Sequence, residues 1–104
     1  MLFAACFSKV LIVDELETIG GEIDQIDEQL VQLLAKRFAC SKRVVEIKNE
    51  IGKPVFDAQR EAELLEIIIK KAEGLGLSAT VSKAIFNEIL HQSRRAQEAR
   101  VKDK

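Results

Sequence analysis

The chain has 104 residues, of which 47% are hydrophobic and 32% are charged, and its 16 basic and 17 acidic residues leave a formal net charge of −1. This length allows one domain with a modest core, and the balanced charge excludes a global positive field that would attract nucleic acid or an anionic membrane. The two cysteines and one histidine match no metal-binding spacing, so neither a metal site nor a Cys–His nucleophile is expected, and so few cysteines fit a reducing cytoplasm.

The first 13 residues form an apolar run that contains Phe3 and Phe7. No cationic segment precedes the apolar part, and the run is too short to span a bilayer, so neither a signal peptide nor a membrane anchor is expected. We expect residues 1–13 to form an apolar N-terminal arm, a short extended segment that packs on the domain or on a partner.

One continuous helix is predicted from Asp14 to Glu50. Asp14 is expected to cap it, with Glu17 in the capping-box position three residues later. Gly20 and Gly21 each cost about 1 kcal/mol of helix stability, which favours a kink or a frayed start there. Apolar residues then recur in steps of three and four without a proline, as on one face of a helix. This apolar stripe consists of Leu16, Ile19, Ile23, Ile26, Leu30, Leu33, Val44, Ile47 and Ile51.

Two shorter helices are predicted after the first break. Gly52 suits the left-handed residue at a helix C-terminus, and Pro54 prevents continuation. Asp57 is expected to cap a second helix of roughly 17 residues, which ends at residues 74–77 (Gly-Leu-Gly-Leu). Ser78 opens a third helix of roughly 22 residues.

These elements predict an all-α domain over residues 14–100, followed by a charged tail at residues 101–104. The first helix would be roughly 55 Å long, whereas a compact chain of this size is about 26 to 35 Å across. Two shorter helices cannot cover an apolar stripe of that length. The pattern therefore predicts an intertwined homodimer in which the long helices of two subunits pack together.

Two cations continue the apolar stripe. Arg37 and Lys48 are about three helical turns apart, roughly 16 Å along the axis, so their side chains can converge on an anion between them. The planar guanidinium of Arg37 suits a carboxylate. The alternatives are that Lys36 and Arg37 form a solvated pair, and that Lys48 only complements the helix macrodipole.

Five further polar residues are candidates for a site. Asp57 is explained as a helix cap, but Arg60 opposes the helix dipole unless it pairs with an acid or a ligand. Glu61 would orient Arg60 or accept a hydrogen bond from a substrate hydroxyl. Ser93 and Gln97, one turn apart, continue an apolar stripe, so they either border a cavity or are simply exposed. The Gln97 amide donates hydrogen bonds at any pH.

Four separated motifs occur in this order along the chain. They are Ile23-Asp24-x-Ile26-Asp27-x-x-Leu30-Val31-x-Leu33-Leu34-Ala35-x-Arg37, Val44-x-x-x-Lys48, Pro54-Val55-x-Asp57-x-x-Arg60-Glu61 and Ser93-x-x-x-Gln97. In order and spacing they resemble the all-helical chorismate mutases, and the resemblance covers residues 16–98.

The resemblance implies an intertwined dimer that converts chorismate to prephenate by a Claisen rearrangement, within cytoplasmic aromatic amino acid biosynthesis. The reaction needs no metal, cofactor, nucleophile or proton transfer. Three catalytic contacts are implied: Arg37 to a substrate carboxylate, Lys48 to a carboxylate and the ether oxygen, and Gln97 to that oxygen from the other side.

Substrate-binding roles are implied for four more residues. Asp57 and Glu61 would hold the ring hydroxyl, Arg60 would support the polar network, and Ser93 would touch a carboxylate. A chorismate-like dicarboxylate and a second copy of the chain are thus the partners implied. Isochorismate lyase activity, giving salicylate and pyruvate, or mutase activity on an amino analogue of chorismate would use the same pocket.

The sequence departs from the family at Gly20. The family usually places there an arginine that reaches into the other subunit's site. Losing one charged partner of a bound carboxylate typically removes about 2 to 5 kcal/mol of binding. Three consequences are open: weak activity, replacement of the arginine by the arm that carries Lys9, or another ligand. A non-catalytic dimeric helical module is the alternative that Gly20 favours.

Overall fold

A computed structural model of the protein describes the backbone of residues 2–102 and the side chains of residues 10–98. This part of the chain forms three helices: α1 (Leu2–Ile51), α2 (Ala58–Gly74) and α3 (Ala79–Lys102). No strand occurs between residues 2 and 102, so the predicted all-α class and the order of three helices are confirmed. None of the helices searched there combines the length and apolar character that a membrane crossing requires.

The start of α1 differs from the prediction. The helix begins at Leu2 rather than Asp14, so the extended conformation expected for the apolar arm is wrong. Asp14 does not cap the helix, because it lies inside α1, where its backbone carbonyl accepts a hydrogen bond from Thr18 Oγ1 at 3.0 Å. Residues 2–19 contain neither Gly nor Pro, so nothing stops the helical hydrogen-bond pattern from continuing toward the N-terminus. The helix also runs through Gly20 and Gly21 without the frayed start expected there.

The C-terminus of α1 is closed as the sequence predicts. Gly52 has a φ of 73°, in the left-handed region that favours glycine. Lys53 N–H donates to the Lys48 carbonyl at 2.9 Å, which is the six-to-one hydrogen bond of a Schellman motif. Pro54 follows and prevents a further helical turn. The chain therefore turns sharply at Gly52, directly after the end of α1 at Ile51, and enters a short connection to α2.

Both ends of α2 are formed by local hydrogen bonds. Asp57 is the N-cap, and its Oδ1 accepts the Arg60 backbone N–H at 3.0 Å, as predicted. At the other end Gly76 has a φ of 83°, and Leu77 N–H donates to the Ala72 carbonyl at 2.8 Å. This second Schellman motif stops α2 within the predicted glycine-containing segment.

α3 starts where the sequence predicts and extends slightly further. Ser78 Oγ accepts the Val81 backbone N–H at 3.2 Å and caps the helix. The buried Ser82 hydroxyl donates back to the Ser78 carbonyl at 3.0 Å. The helix ends at Lys102 rather than near Arg100, because no helix breaker occurs in the last residues.

The chain divides into two compact units, residues 1–37 and 38–104. In the first unit no side chain between residues 10 and 37 is buried. The apolar stripe predicted for this helix is therefore open to solvent, with Leu16 64% exposed and Leu30 52% exposed. Between residues 10 and 37 this unit therefore buries no core of its own.

The second unit contains the last turns of α1 together with α2 and α3, and α2 packs against α3. Its buried apolar side chains come one from each helix, namely Val45, Ala72 and Leu90. Two serines, Ser82 and Ser93, are buried beside them. The described core is thus small and contains hydroxyl groups, so additional burial of apolar surface would stabilise the fold.

Candidate active site

Lys48 is held at the connection between α1 and α2. Its side chain is half-buried, and Nζ donates a hydrogen bond to the Val55 carbonyl at 3.2 Å. The sharp turn at Gly52 makes this contact possible, because it brings residue 55 back to the last turns of α1. An ammonium group has three N–H donors, so two remain for a ligand. The structure thus presents a fixed positive charge at this connection.

The first turn of α2 adds a carboxylate and an arginine. Asp57 is exposed and uses Oδ1 for the helix cap, so its other oxygen can still accept a hydrogen bond. The exposed Arg60 side chain makes no ion pair with any residue between 10 and 98. Of the two roles left open for Glu61, orientation of Arg60 is therefore not observed, and acceptance of a hydrogen bond from a substrate hydroxyl stays a prediction. Consecutive residues of a helix point about 100° apart, so their side chains do not face each other.

Glu61 pairs instead with Arg94 of α3. Arg94 Nε lies 3.5 Å from Glu61 Oε2, and the two side chains are 42% and 23% exposed, respectively. The Arg94 guanidinium also lies over the Phe56 ring, 5.1 Å from its centroid. Sequence reasoning missed Arg94, since its partners are distant along the chain. The only local signal is its position between the two candidates Ser93 and Gln97.

A cleft of about 500 Å³ lies between the end of α1 and α3, within the second unit. Its lining residues are Phe38, Ala39, Ser41, Lys42, Val45, Ser93, Ala96 and Gln97. Of the two alternatives left open for Ser93 and Gln97, a cavity border and simple exposure, the cleft favours the first. Ser93 is only 5% exposed, and its Oγ makes no hydrogen bond with any described residue. A buried hydroxyl without a partner is costly, so Ser93 retains the capacity to bind a polar ligand.

Arg37 lies in the first unit, on α1, and its side chain is half-buried. Its guanidinium makes no hydrogen bond or ion pair within residues 10–98, so its five N–H donors remain available to a ligand. Gly20 lies in the same unit, and an ideal Cβ added there would meet no atom within 4 Å. Space alone therefore does not require glycine at this position.

The described residues contain no group of three or more His, Cys, Asp or Glu side chains that could hold a metal ion. The chemistry available is that of fixed cations, carboxylates and neutral hydrogen-bond donors. Lys48 and Asp57 lie on either side of the α1–α2 connection, and Glu61 of α2 pairs with Arg94 of α3. Gln97 lies at the cleft. This combination suits recognition of an anionic ligand that also carries a hydroxyl group.

The family model for chorismate mutase type II matches residues 19–98, which include every candidate side chain described above. The chain belongs to this family. The resemblance drawn from the four motifs is thereby confirmed.

Several curated proteins are similar to the chain. The T-protein of Enterobacter agglomerans is 33% identical over 82 residues, which cover 79% of this chain and 22% of that protein. The chorismate mutase of Methanocaldococcus jannaschii is 29% identical over 86 residues, covering 83% and 87%. The bifunctional chorismate mutase/prephenate dehydratase of Aquifex aeolicus is 38% identical over 58 residues, covering 56% and 16%. The chain thus spans only a small part of the T-protein and the bifunctional enzyme, but most of the archaeal relative.

Proposed function

We propose that the protein catalyses the Claisen rearrangement of chorismate to prephenate. The observation that carries this proposal is the family match over residues 19–98. The similarity to the Methanocaldococcus jannaschii chorismate mutase extends over 87% of that protein. Nearly the whole of that protein therefore corresponds to this domain, which supports assigning the same activity to it. The matched residues make up only 22% of the T-protein of Enterobacter agglomerans and 16% of the bifunctional enzyme of Aquifex aeolicus, so the rest of those proteins has no counterpart in the match.

The proposed reaction breaks the ether C–O bond and forms a C–C bond within one molecule, so it consumes no co-reactant and moves no proton. Catalysis therefore depends on holding a flexible dianion in its reactive conformer. It also depends on donors placed where negative charge grows on the ether oxygen. We assign these donors to Lys48 and Gln97, and a carboxylate to Arg37. The hydrogen bond from Lys48 to Val55 supports this assignment, since it limits where the ammonium can lie.

The remaining polar residues would recognise the rest of the substrate. Asp57 and Glu61 are assigned to the ring hydroxyl, because each retains acceptor capacity on its carboxylate. Ser93 is assigned to a carboxylate, which would satisfy a buried hydroxyl that has no partner among the described residues. Arg60 is assigned to the surrounding polar network.

We further propose that the protein is an intertwined homodimer. The support is the exposed apolar stripe of residues 10–37, which includes Leu16, Ile23, Leu30 and Leu33. Burying one such side chain completely is worth about 1.5 to 3 kcal/mol. A second copy of α1 presents the same stripe, and a two-fold axis would bring the two together.

We also propose that the protein is located in the cytoplasm. The free, exposed thiol of Cys40 fits that reducing compartment.

One specific observation favours a second candidate function. Gly20 occupies the position where the family usually has an arginine that crosses to the other subunit. A protein that lacks this cation could retain the dimeric helical fold and bind a ligand without converting it. Turnover by the wild-type protein distinguishes the two candidates.

The test is to incubate the purified protein with chorismate and follow the loss of its ultraviolet absorbance. We expect turnover above the uncatalysed rate. We also expect a fall of about 100-fold or more in kcat/KM for Arg37→Ala, since a charged partner of a carboxylate is lost. Lys36→Ala removes an adjacent, exposed cation and is the matched control, expected to leave kcat/KM unchanged. No turnover by the wild type would overturn the mutase proposal, and pyruvate release from isochorismate would identify a lyase.

A further inference from the structure

We propose that Arg94 is a positioning residue that holds the Glu61 carboxylate in place for the hydroxyl group of the substrate. This inference rests on the proposed function and adds a residue to its site. It starts from two distances: 3.5 Å between Arg94 Nε and Glu61 Oε2, and 5.1 Å between the guanidinium carbon and the Phe56 ring centroid.

The contact joins three separate parts of the second unit. Glu61 belongs to the first turns of α2, Phe56 to the connection that precedes α2, and Arg94 to α3. The Glu61 side chain is 23% exposed, so its charge is partly removed from water and gains from a nearby cation. Arg60 does not serve as this cation, because it pairs with no acid among the described residues. Arg94 is therefore the residue that fixes the position of Glu61.

Phe56 is the second partner of the Arg94 guanidinium. The guanidinium carbon lies over the Phe56 ring, 5.1 Å from its centroid, while Nε lies 3.5 Å from Glu61 Oε2. A cation–π contact of this kind favours a limited range of guanidinium positions. Phe56 itself is 51% exposed, so it contributes little to the core and its contact with Arg94 is its main described interaction. A lysine has no planar group and would not be oriented in this way.

The pair also leaves Glu61 able to bind a ligand. Arg94 Nε is buried and makes no hydrogen bond with a described residue, so its attraction to Glu61 is electrostatic. The lone pairs of both Glu61 oxygens thus remain available to accept a hydrogen bond from a hydroxyl group. Arg94 fixes the carboxylate without occupying the acceptor that the substrate needs.

The experiment is a double-mutant cycle on chorismate turnover with Arg94→Ala, Glu61→Gln and the double variant. If Arg94 acts through Glu61, each single change lowers kcat/KM by about 5- to 50-fold, and the double variant is no worse than Glu61→Gln alone. Arg95→Ala removes the neighbouring exposed arginine, which makes no ion pair with another described side chain, and should leave kcat/KM unchanged. Arg94→Lys keeps the charge and the fold but should not restore activity, since it lacks the planar group.

The outcomes separate this role from the others. Additive losses in the double variant would mean that Arg94 contacts the substrate directly, and would overturn the positioning role. Wild-type kcat/KM in Arg94→Ala or in Arg94→Lys would also overturn it. If Arg94→Ala does not fold, as judged by circular dichroism, Arg94→Lys and Phe56→Leu decide, and both are expected to lower kcat/KM. Absence of turnover by the wild type would instead overturn the proposed function, and this role with it.

Discussion

The substitution Gly20→Arg tests the meaning of the one departure from the family pattern. It places an arginine at the position from which the family usually reaches into the other subunit's site. Gly20 has a helical backbone, and an ideal Cβ there meets no atom within 4 Å. The Cβ of the new side chain therefore meets no neighbouring atom among the described residues.

The expected gain has two parts. A charged hydrogen-bond partner for a carboxylate is worth about 2 to 5 kcal/mol when it is lost from an optimised site. An introduced arginine is not optimised, so we expect the lower end, about a 30-fold rise in kcat/KM that is expressed mainly as a lower KM. Replacing glycine in a helix also stabilises it by about 0.5 to 1 kcal/mol, which raises Tm by a few degrees in a domain of this size.

The control is Gly21→Arg. Gly21 is also helical and has nothing within 4 Å of an added Cβ, but it points about 100° away around α1. Chorismate turnover and thermal unfolding are measured for both variants. Both should raise Tm, but only Gly20→Arg should raise kcat/KM. Equal kcat/KM values in the two variants, or no gain in either, would refute the reasoning that links position 20 to the site.

Three further predictions test the site, the dimer and the helix ends. Lys48→Ala should lower kcat/KM by about 100-fold or more and lower Tm by only a few degrees, since one hydrogen bond is lost with the charge; turnover equal to wild type would contradict its role. Leu30→Glu should convert the dimer to a monomer, as measured by light scattering. The control Gln25→Glu lies about 140° away around the helix and should leave the dimer intact, and a monomeric wild type would contradict the dimer. Gly76→Ala should lower the free energy of unfolding by about 1 to 2 kcal/mol, because the φ of Gly76 is 83°. The control Gly74→Ala, at a helical glycine with the same free space, should raise it by about 0.5 kcal/mol, and equal Tm changes in the two variants would contradict this.

The helix ends show which features of the fold depend on local sequence. Gly52, Asp57 and Gly76 act through conformational preference or through hydrogen bonds to residues a few positions away, and all three were predicted. The start of α1 was not predicted, because a local cap signal at Asp14 indicated the beginning of the helix. A possible cap at Asp14 does not end a helix when the residues before it can also be helical. Local signals indicate where a helix can begin or end. Whether it does so depends on whether the residues beyond that point can also be helical.

The candidate site shows the same division between local and distant interactions. Helical spacing places Ser93 and Gln97 on one face but left open whether that face borders a cavity or is exposed, and the cleft is lined by both residues. The ion pair of Glu61 with Arg94 was not predicted, because the two residues are more than 30 positions apart in the sequence. Periodicity describes one helix at a time and contains no information about which face of α3 meets α2.

The sequence by itself therefore determined the all-α class, the three helices, the caps of α2 and α3 and the membership in the chorismate mutase family. These features depend on residue spacing and on the conformational preferences of a few residues. Only the tertiary structure decided that Glu61 pairs with Arg94, that Lys48 is fixed by the Val55 carbonyl and that Ser93 is buried without a partner among the described residues. Each of these contacts joins different elements, so it exists only after the helices have packed and the connection at Gly52 has turned the chain back.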